Sequence, residues 1–178
     1  MSGKGICIVA ALAFVVMAGS ALGATEQDVT LTVTIRSLGV SVTPGTYDFG
    51  IMNVGEHKIC QDSLTVANTG NDAEDIGIRV KDEDDRDEWT LSMDATPAAG
   101  ANVYVLGAHL AAGNPGGTPL TTSIQWADGT IFAGGGNDMA AAATVPLGFR
   151  FDAPTSVSGT HAADSHTITV EVSCRLAE

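Results

Sequence analysis

The sequence predicts an all-β fold, a single antiparallel β-sandwich of about nine or ten strands that follows a leader peptide. Short segments in which apolar and polar residues alternate recur along the chain, and a period of two is typical of half-buried strands. Clusters rich in Gly, Asn, Asp and Pro separate these segments. No stretch has the apolar spacing of a long helix, so strands are expected to supply the whole core.

Residues 1–23 have the composition of a signal peptide. A basic start at Lys4 precedes an almost wholly apolar run from Ile6 to Ala18, and small residues follow at 21–23 (ALG), where a signal peptidase cleaves. We expect cleavage before Ala24 and a secreted protein, extracellular or at the cell surface. A retained N-terminal anchor is the alternative. The apolar run is short for a membrane span, and no span is expected in the mature chain.

Residues 24–37 contain the clearest alternating pattern in the N-terminal half. Apolar side chains two apart are separated by Thr, which favours β-structure; the apolar positions are Val29, Leu31, Val33 and Ile35. This amphipathic strand precedes the predicted sandwich domain, 38–178. It is either the first strand of that domain or a donor strand that completes the sheet of a second copy.

The stretch from Val40 to Val80 organises the predicted domain, because it has two strand patterns joined by a tight turn at 68–71 (NTGN). One strand pattern places Cys60, Leu64 and Val66 on one face, and the other places Ile76, Ile78 and Val80 on one face. Such a pair of half-buried strands is the repeating unit of a β-sandwich.

Four short motifs in this stretch resemble the opening strands of secreted immunoglobulin-like domains. They are Tyr47-Asp48-Phe49-Gly50, Val54-Gly55, Leu64-Thr65-Val66 and Asn68-Thr69-Gly70-Asn71. Their order is similar to that of the abnormal-spindle/major-sperm-protein-like group. The resemblance implies an immunoglobulin-like or jelly-roll-type sandwich of the kind found in extracellular filament or matrix subunits. It carries over no catalytic residues, since this architecture hosts many unrelated functions.

The middle of the chain is rich in loops. Strands are expected at Val103–Leu106 and Leu120–Trp126, and alternation also resumes at Trp89. Gly-rich connections lie between Gly107 and Ala143. The two Trp residues, 89 and 126, either pack in the core or stack on a sugar.

Two strong strand patterns close the chain. The first places Val145, Leu147, Phe149 and Phe151 on one face, and Pro146 within it suggests an edge position or a strand start. The second alternates without a break from Ile168 to Leu176. We expect this final strand to be central, with one face in the core.

Two cysteines remain after cleavage, Cys60 and Cys174, and each has the parity of its apolar neighbours. In an exported chain this predicts a buried disulfide between two strands. The alternative is two buried thiols that do not meet.

An acidic loop at 81–88 is the one concentrated set of charged side chains. Its carboxylates suit a hard cation such as Ca²⁺, which takes six to eight oxygen ligands; the candidate ligands are Asp82, Asp84, Asp85 and Asp87, with Glu88, Asp72 and Asp75 nearby. The spacing does not match an EF-hand loop. The alternative is a solvated hairpin tip that discourages edge aggregation. Apart from Ca²⁺, no cofactor is expected.

Charge and the missing catalytic motifs limit the classes of function. Removing Lys4 with the leader lowers the basic count from 8 to 7 against 21 acidic residues, a formal charge of −14, which argues against nucleic acid or an anionic membrane as partner. Neither HExxH, nor GxSxG, nor a phosphate-binding glycine loop occurs.

The sequence therefore favours a non-enzymatic extracellular structural protein. Such a subunit would self-associate by β-strand donation into a filament or pilus-like fibre, a surface layer or a matrix. The alternative is a monomeric secreted binding module for carbohydrate or protein that uses the Gly-rich loops.

Overall fold

A computed structural model of the chain describes residues 10–12, 30–82, 89–92, 100–112, 117–128, 130–132, 135–159 and 165–178. These residues form eleven strands and no helix, which confirms the all-β class. Consequently, the described part of the chain has no helix long and apolar enough to cross a membrane. Two compact units are present, Met1–Ser37 and Leu38–Glu178.

The first unit contains a two-stranded antiparallel ladder. Strand β1 is Ala10–Leu12 and strand β2 is Val33–Ile35, with Ala10 opposite Ile35 and Leu12 opposite Val33. Strand β2 covers the last three residues of the predicted donor strand. Its partner β1 lies within the predicted leader peptide.

The second unit contains nine strands in two sheets. They are β3 (Val40–Thr43), β4 (His57–Asn68), β5 (Glu74–Asp82), β6 (Thr90–Leu91), β7 (Val103–His109), β8 (Thr118–Pro119), β9 (Gln125–Trp126), β10 (Thr144–Asp152) and β11 (Thr169–Leu176). The larger sheet has the order β3-β4-β10-β7-β6, and β8 also pairs with β7. The smaller sheet has the order β11-β5-β9. All pairs are antiparallel except β6 with β7, which is parallel, so the larger sheet is mixed.

One hydrophobic core is built from side chains of both sheets. The alternating apolar positions of β4, β5 and β10 are buried, except that Val145 at the start of β10 is half-buried against the same core. The buried residues are Cys60, Leu64, Val66, Ile76, Ile78, Val80, Leu147, Phe149 and Phe151. The predicted faces of these three strands are therefore confirmed, because a period of two places alternate side chains on one face of a sheet.

The segment predicted as a strand over Leu120–Trp126 is wrong for most of its length. Strands β8 and β9 flank a turn, and local polar groups hold that turn in place. Thr121 Oγ1 donates to the carbonyl of Ser123 at 2.9 Å, and the Thr121 amide donates to Gln125 Oε1 at 3.2 Å. Hydroxyl and amide side chains offer the backbone such local partners, and here they replace a ladder.

One of the two positional predictions about the last strands is wrong. Strand β10 lies between β4 and β7, but Pro146 is its third residue and lies where β4 alone pairs with it, which agrees with the predicted edge position or strand start. It tolerates Pro146 because the ladder to β7 begins only at Gly148, so no bond to β7 is lost. Strand β11, expected to be central, is the end strand of the smaller sheet and pairs with β5 alone among the described strands.

Candidate functional site

Strand β2 and the residues just before it expose apolar side chains to solvent. In β2, Val33 is 56% exposed and Ile35 is 61% exposed, and Leu31, two residues before β2, is 65% exposed. The fourth predicted position, Val29, lies outside the described residues. Three neighbouring apolar side chains at this exposure form a patch of the kind that marks an interaction surface.

The ladder that holds β2 belongs to the predicted leader. Residues Ala10 to Leu12 supply its backbone partners. Cleavage before Ala24 would remove these ladder partners from β2. An exposed apolar strand with an open edge is a template for pairing with another chain.

Strand β11 has one polar face, stabilised by ion pairs with β5. Glu171 accepts from Arg79 at 3.0 Å, and Lys81 Nζ lies 3.8 Å from the same carboxylate oxygen. The hydrogen bond from Arg79 holds the pKa of Glu171 below its usual value, although partial desolvation opposes the shift. On the same face Arg175 pairs with Asp75 at 3.2 Å.

The opposite face of β11 is apolar but incompletely covered. Val170, Val172 and Cys174 pack against the core and remain half-buried, whereas Ile78 and Val80 on the neighbouring β5 are 0% and 1% exposed. The difference follows from position, because β5 has a sheet neighbour on each side and β11 has one among the described strands.

Strand β3 ends the other sheet and is covered to a similar extent. Its core-facing residues Val40 and Val42 are half-buried and pack against the same core. Strands β3 and β11 approach each other with Cα atoms within 8 Å, yet no ladder joins them in the described part of the chain. We call this half-buried apolar surface the β3–β11 seam; its residues are Val40, Val42, Val170, Val172 and Cys174.

A buried carboxylate anchors one end of the seam. Glu74 is fully buried at the start of β5, and its Oε1 accepts from the amide of Gly39 at 2.8 Å. Burial raises the pKa of the Cys174 thiol to about 11, and the neighbouring Glu74 carboxylate adds to the shift. In the sequence, Glu74 has the parity of Ile76 and Ile78, which places its carboxylate on the core face. This pattern could have indicated a buried carboxylate with a specific partner, and we did not predict one.

The predicted disulfide is not formed: Cys60 and Cys174 are both free thiols. Cys60 lies opposite Phe149 in the larger sheet, and Cys174 lies opposite Ile76 in the smaller sheet. Cys60 lies beside Tyr47, whose pKa is raised by desolvation and then by the Cys60 thiol. Shared apolar parity places both cysteines toward the core, but it does not determine whether they form a disulfide.

The predicted calcium ligands are mostly outside the described residues. This applies to Asp84, Asp85 and Asp87, and to the side chain of Asp82, whose backbone ends β5. Asp75 is engaged elsewhere, since it pairs with Arg175 and accepts from the amide of Asp138 at 3.0 Å. Within the described ranges no group of three or more His, Cys, Asp or Glu side chains is arranged to hold a metal. The calcium site stays a prediction.

Both Trp residues take part in packing. Trp89 stacks on His166 with ring centroids 4.0 Å apart and lies 6.4 Å from the ring of Phe151. The guanidinium of Arg175 lies over the ring of Trp126, 4.9 Å from its centroid. Each indole therefore has a face covered by another side chain of the chain.

No protein-family model, no curated protein and no solved structure matches this chain. The resemblance to immunoglobulin-like domains accordingly rests on the sequence motifs alone.

Proposed function

We propose that the chain is a non-enzymatic structural subunit that is exported and then self-associates by β-strand donation. The product is a filament or pilus-like fibre, a surface layer or a matrix, built from immunoglobulin-like or jelly-roll-type sandwiches. One observation carries the proposal: Val33 and Ile35 of β2, and Leu31 just before it, are exposed, and the ladder partner of β2, Ala10–Leu12, lies within the predicted leader.

Leader removal prepares the strand for donation. Cleavage before Ala24 takes away β1, the ladder partner of β2, and leaves the apolar side chains of the mature N-terminal strand exposed. Pairing with the sheet edge of a second copy supplies a new ladder partner and buries the apolar side chains at once. Because the donor and acceptor surfaces differ, the contact is head-to-tail, and repeating it grows an open chain of subunits.

Negative-stain microscopy and sedimentation of the mature chain, beginning at Ala24, test the proposal. Wild-type protein should form fibres or lattices. The double variant Leu31→Asn/Val33→Asn should stay monomeric and folded, because it removes the apolar side chains of the donor strand. The matched control Thr32→Asn/Thr34→Asn adds the same side chains on the other face and should still assemble.

Deleting Thr25–Ile35 provides a second test. The shortened chain should fold and fail to polymerise, since it keeps the whole of the second unit. If the wild-type mature chain is monomeric and this deletion merely unfolds it, the strand belongs to its own domain and the proposal fails. Such a result would favour a monomeric binding module.

A further inference from the structure

Building on the proposed function, we infer that the donor strand of one copy docks along the flank of β11 that has no ladder partner among the described strands of a second copy, and covers Val170 and Val172 there. Strand donation by itself does not determine which surface of the second copy accepts the strand. Three features of the structure identify that surface: the length of the end strands, the incomplete burial of the seam and the charge of the polar β11 face.

Edge length favours β11. The alternating pattern of the donor covers seven residues, 29–35, of which Val33–Ile35 form β2, and the whole pattern needs an edge of similar length to pair with. The end strands of the two sheets are β3 with four residues, β6 with two, β9 with two and β11 with eight. Among these four end strands, β11 alone is as long as the donor pattern.

Burial points to the same strand. An added strand next to β11 would cover Val170 and Val172 in the way that β11 itself helps to cover Ile78 and Val80 on β5. The donor alternates apolar and Thr residues, and β11 alternates apolar residues with Thr169, Glu171, Ser173 and Arg175. Pairing in parity places the donor apolar side chains in the seam and its Thr residues on the polar face.

The charge of the exposed β11 face fits a neutral donor. Glu171 is paired with Arg79 and Lys81, and Arg175 is paired with Asp75. The charges of β11 are therefore satisfied within their own sheet, and an uncharged Thr face can lie beside them without leaving a charge unpaired. No charged residue occurs in the donor between Val29 and Ile35.

Cys174 is a built-in reporter for this contact, because it lies on the seam face of β11. Single variants Leu31→Cys, Val33→Cys and Ile35→Cys put a thiol on the docking face of the donor, and Thr32→Cys and Thr34→Cys are matched controls on its other face. Assembled mature protein is oxidised with copper phenanthroline, which takes up the two electrons released as two thiols form one disulfide. Chain-to-chain disulfides are read by non-reducing electrophoresis and peptide mapping.

We expect a ladder of cross-linked chains from at least one docking-face variant, mapped to Cys174, and its loss on adding Cys174→Ala. The Thr-position variants should give no ladder through Cys174. Polymers whose cross-links reach Cys60 and not Cys174 would overturn the β11 assignment and would leave the strand-donation proposal unaffected. A disulfide to Cys174 within a single monomeric chain would instead show that the strand pairs with its own β11, which overturns both proposals.

Discussion

Substituting Gly148 by Ala tests how closely β10 and β7 pack in the middle of the larger sheet. Gly148 lies opposite His109, which is buried. A Cβ atom at position 148 would clash with Cε1 and Nε2 of His109 and would lie 2.7 Å from the carbonyl oxygen of Cys60. The imidazole is enclosed and the carbonyl belongs to the β4 backbone, so neither can move aside without disturbing its neighbours.

The expected loss of stability follows from these contacts. Overpacking by one methyl group costs about 1–3 kcal/mol, and a contact with backbone places this substitution toward the upper end. For a unit of this size, each kcal/mol shifts Tm by roughly 3 °C, so Gly148→Ala should lower Tm by about 3–9 °C.

Thermal and denaturant unfolding followed by circular dichroism provide the measurement, with Gly45→Ala as the matched control. A Cβ atom at Gly45 has no neighbour within 4 Å, so this variant should keep the wild-type stability or gain up to about 1 kcal/mol. Adding His109→Ala to Gly148→Ala should restore part of the loss, because the added methyl then has space. Equal melting of the two glycine variants would refute the close packing of His109 on β10.

Three further predictions concern the smaller sheet. Ile78→Ala should cost about 2–5 kcal/mol, since Ile78 is fully buried, whereas Ile51→Ala at a 95% exposed position should stay within about 0.5 kcal/mol of wild type in urea unfolding. Because the pKa of Cys174 is raised to about 11, its alkylation by iodoacetamide in the native state should accelerate only as the pH approaches that value. For the same reason the stability that this neutral thiol contributes should fall as the pH rises from the ordinary thiol pKa toward 11. Glu171→Gln should cost at most about 1 kcal/mol at neutral pH, and the stability contributed by this ion pair should be lost as the pH falls through the lowered pKa of Glu171.

The parts of the fold that depend on a single strand could be predicted from the sequence. In β5 the alternation of Ile76, Ile78 and Val80 is a local property of the chain, and it determines which side chains face the core whatever the neighbouring strands are. The same holds for β10, where Leu147, Phe149 and Phe151 lie on the buried face although Pro146 lacks a backbone N–H group that could donate to a neighbouring strand. A buried face therefore follows from periodicity alone.

Contacts between distant segments could not be predicted in this way. Cys60 and Cys174 both have core parity, but whether they meet depends on which sheets their strands join, and the ladders place them opposite Phe149 and Ile76. The bond from Gly39 to Glu74 joins residues 35 positions apart. No periodic pattern encodes either pairing, because both depend on the order of strands in the two sheets.

The position of β11 shows why this difference matters for function. Alternation from Ile168 to Leu176 indicates one buried face, and it is the same for a strand with one sheet neighbour as for a strand with two. A strand with two neighbours has backbone hydrogen bonds along both flanks, and its core-facing side chains are more deeply buried. Val170 and Val172 on β11 are only half-buried, whereas Ile78 and Val80 on β5 are fully buried. A central β11 would have both flanks paired and would offer no acceptor to an incoming strand. The end position of β11 among the described strands and the exposure of Leu31, Val33 and Ile35 are therefore the two observations on which the proposed strand donation depends.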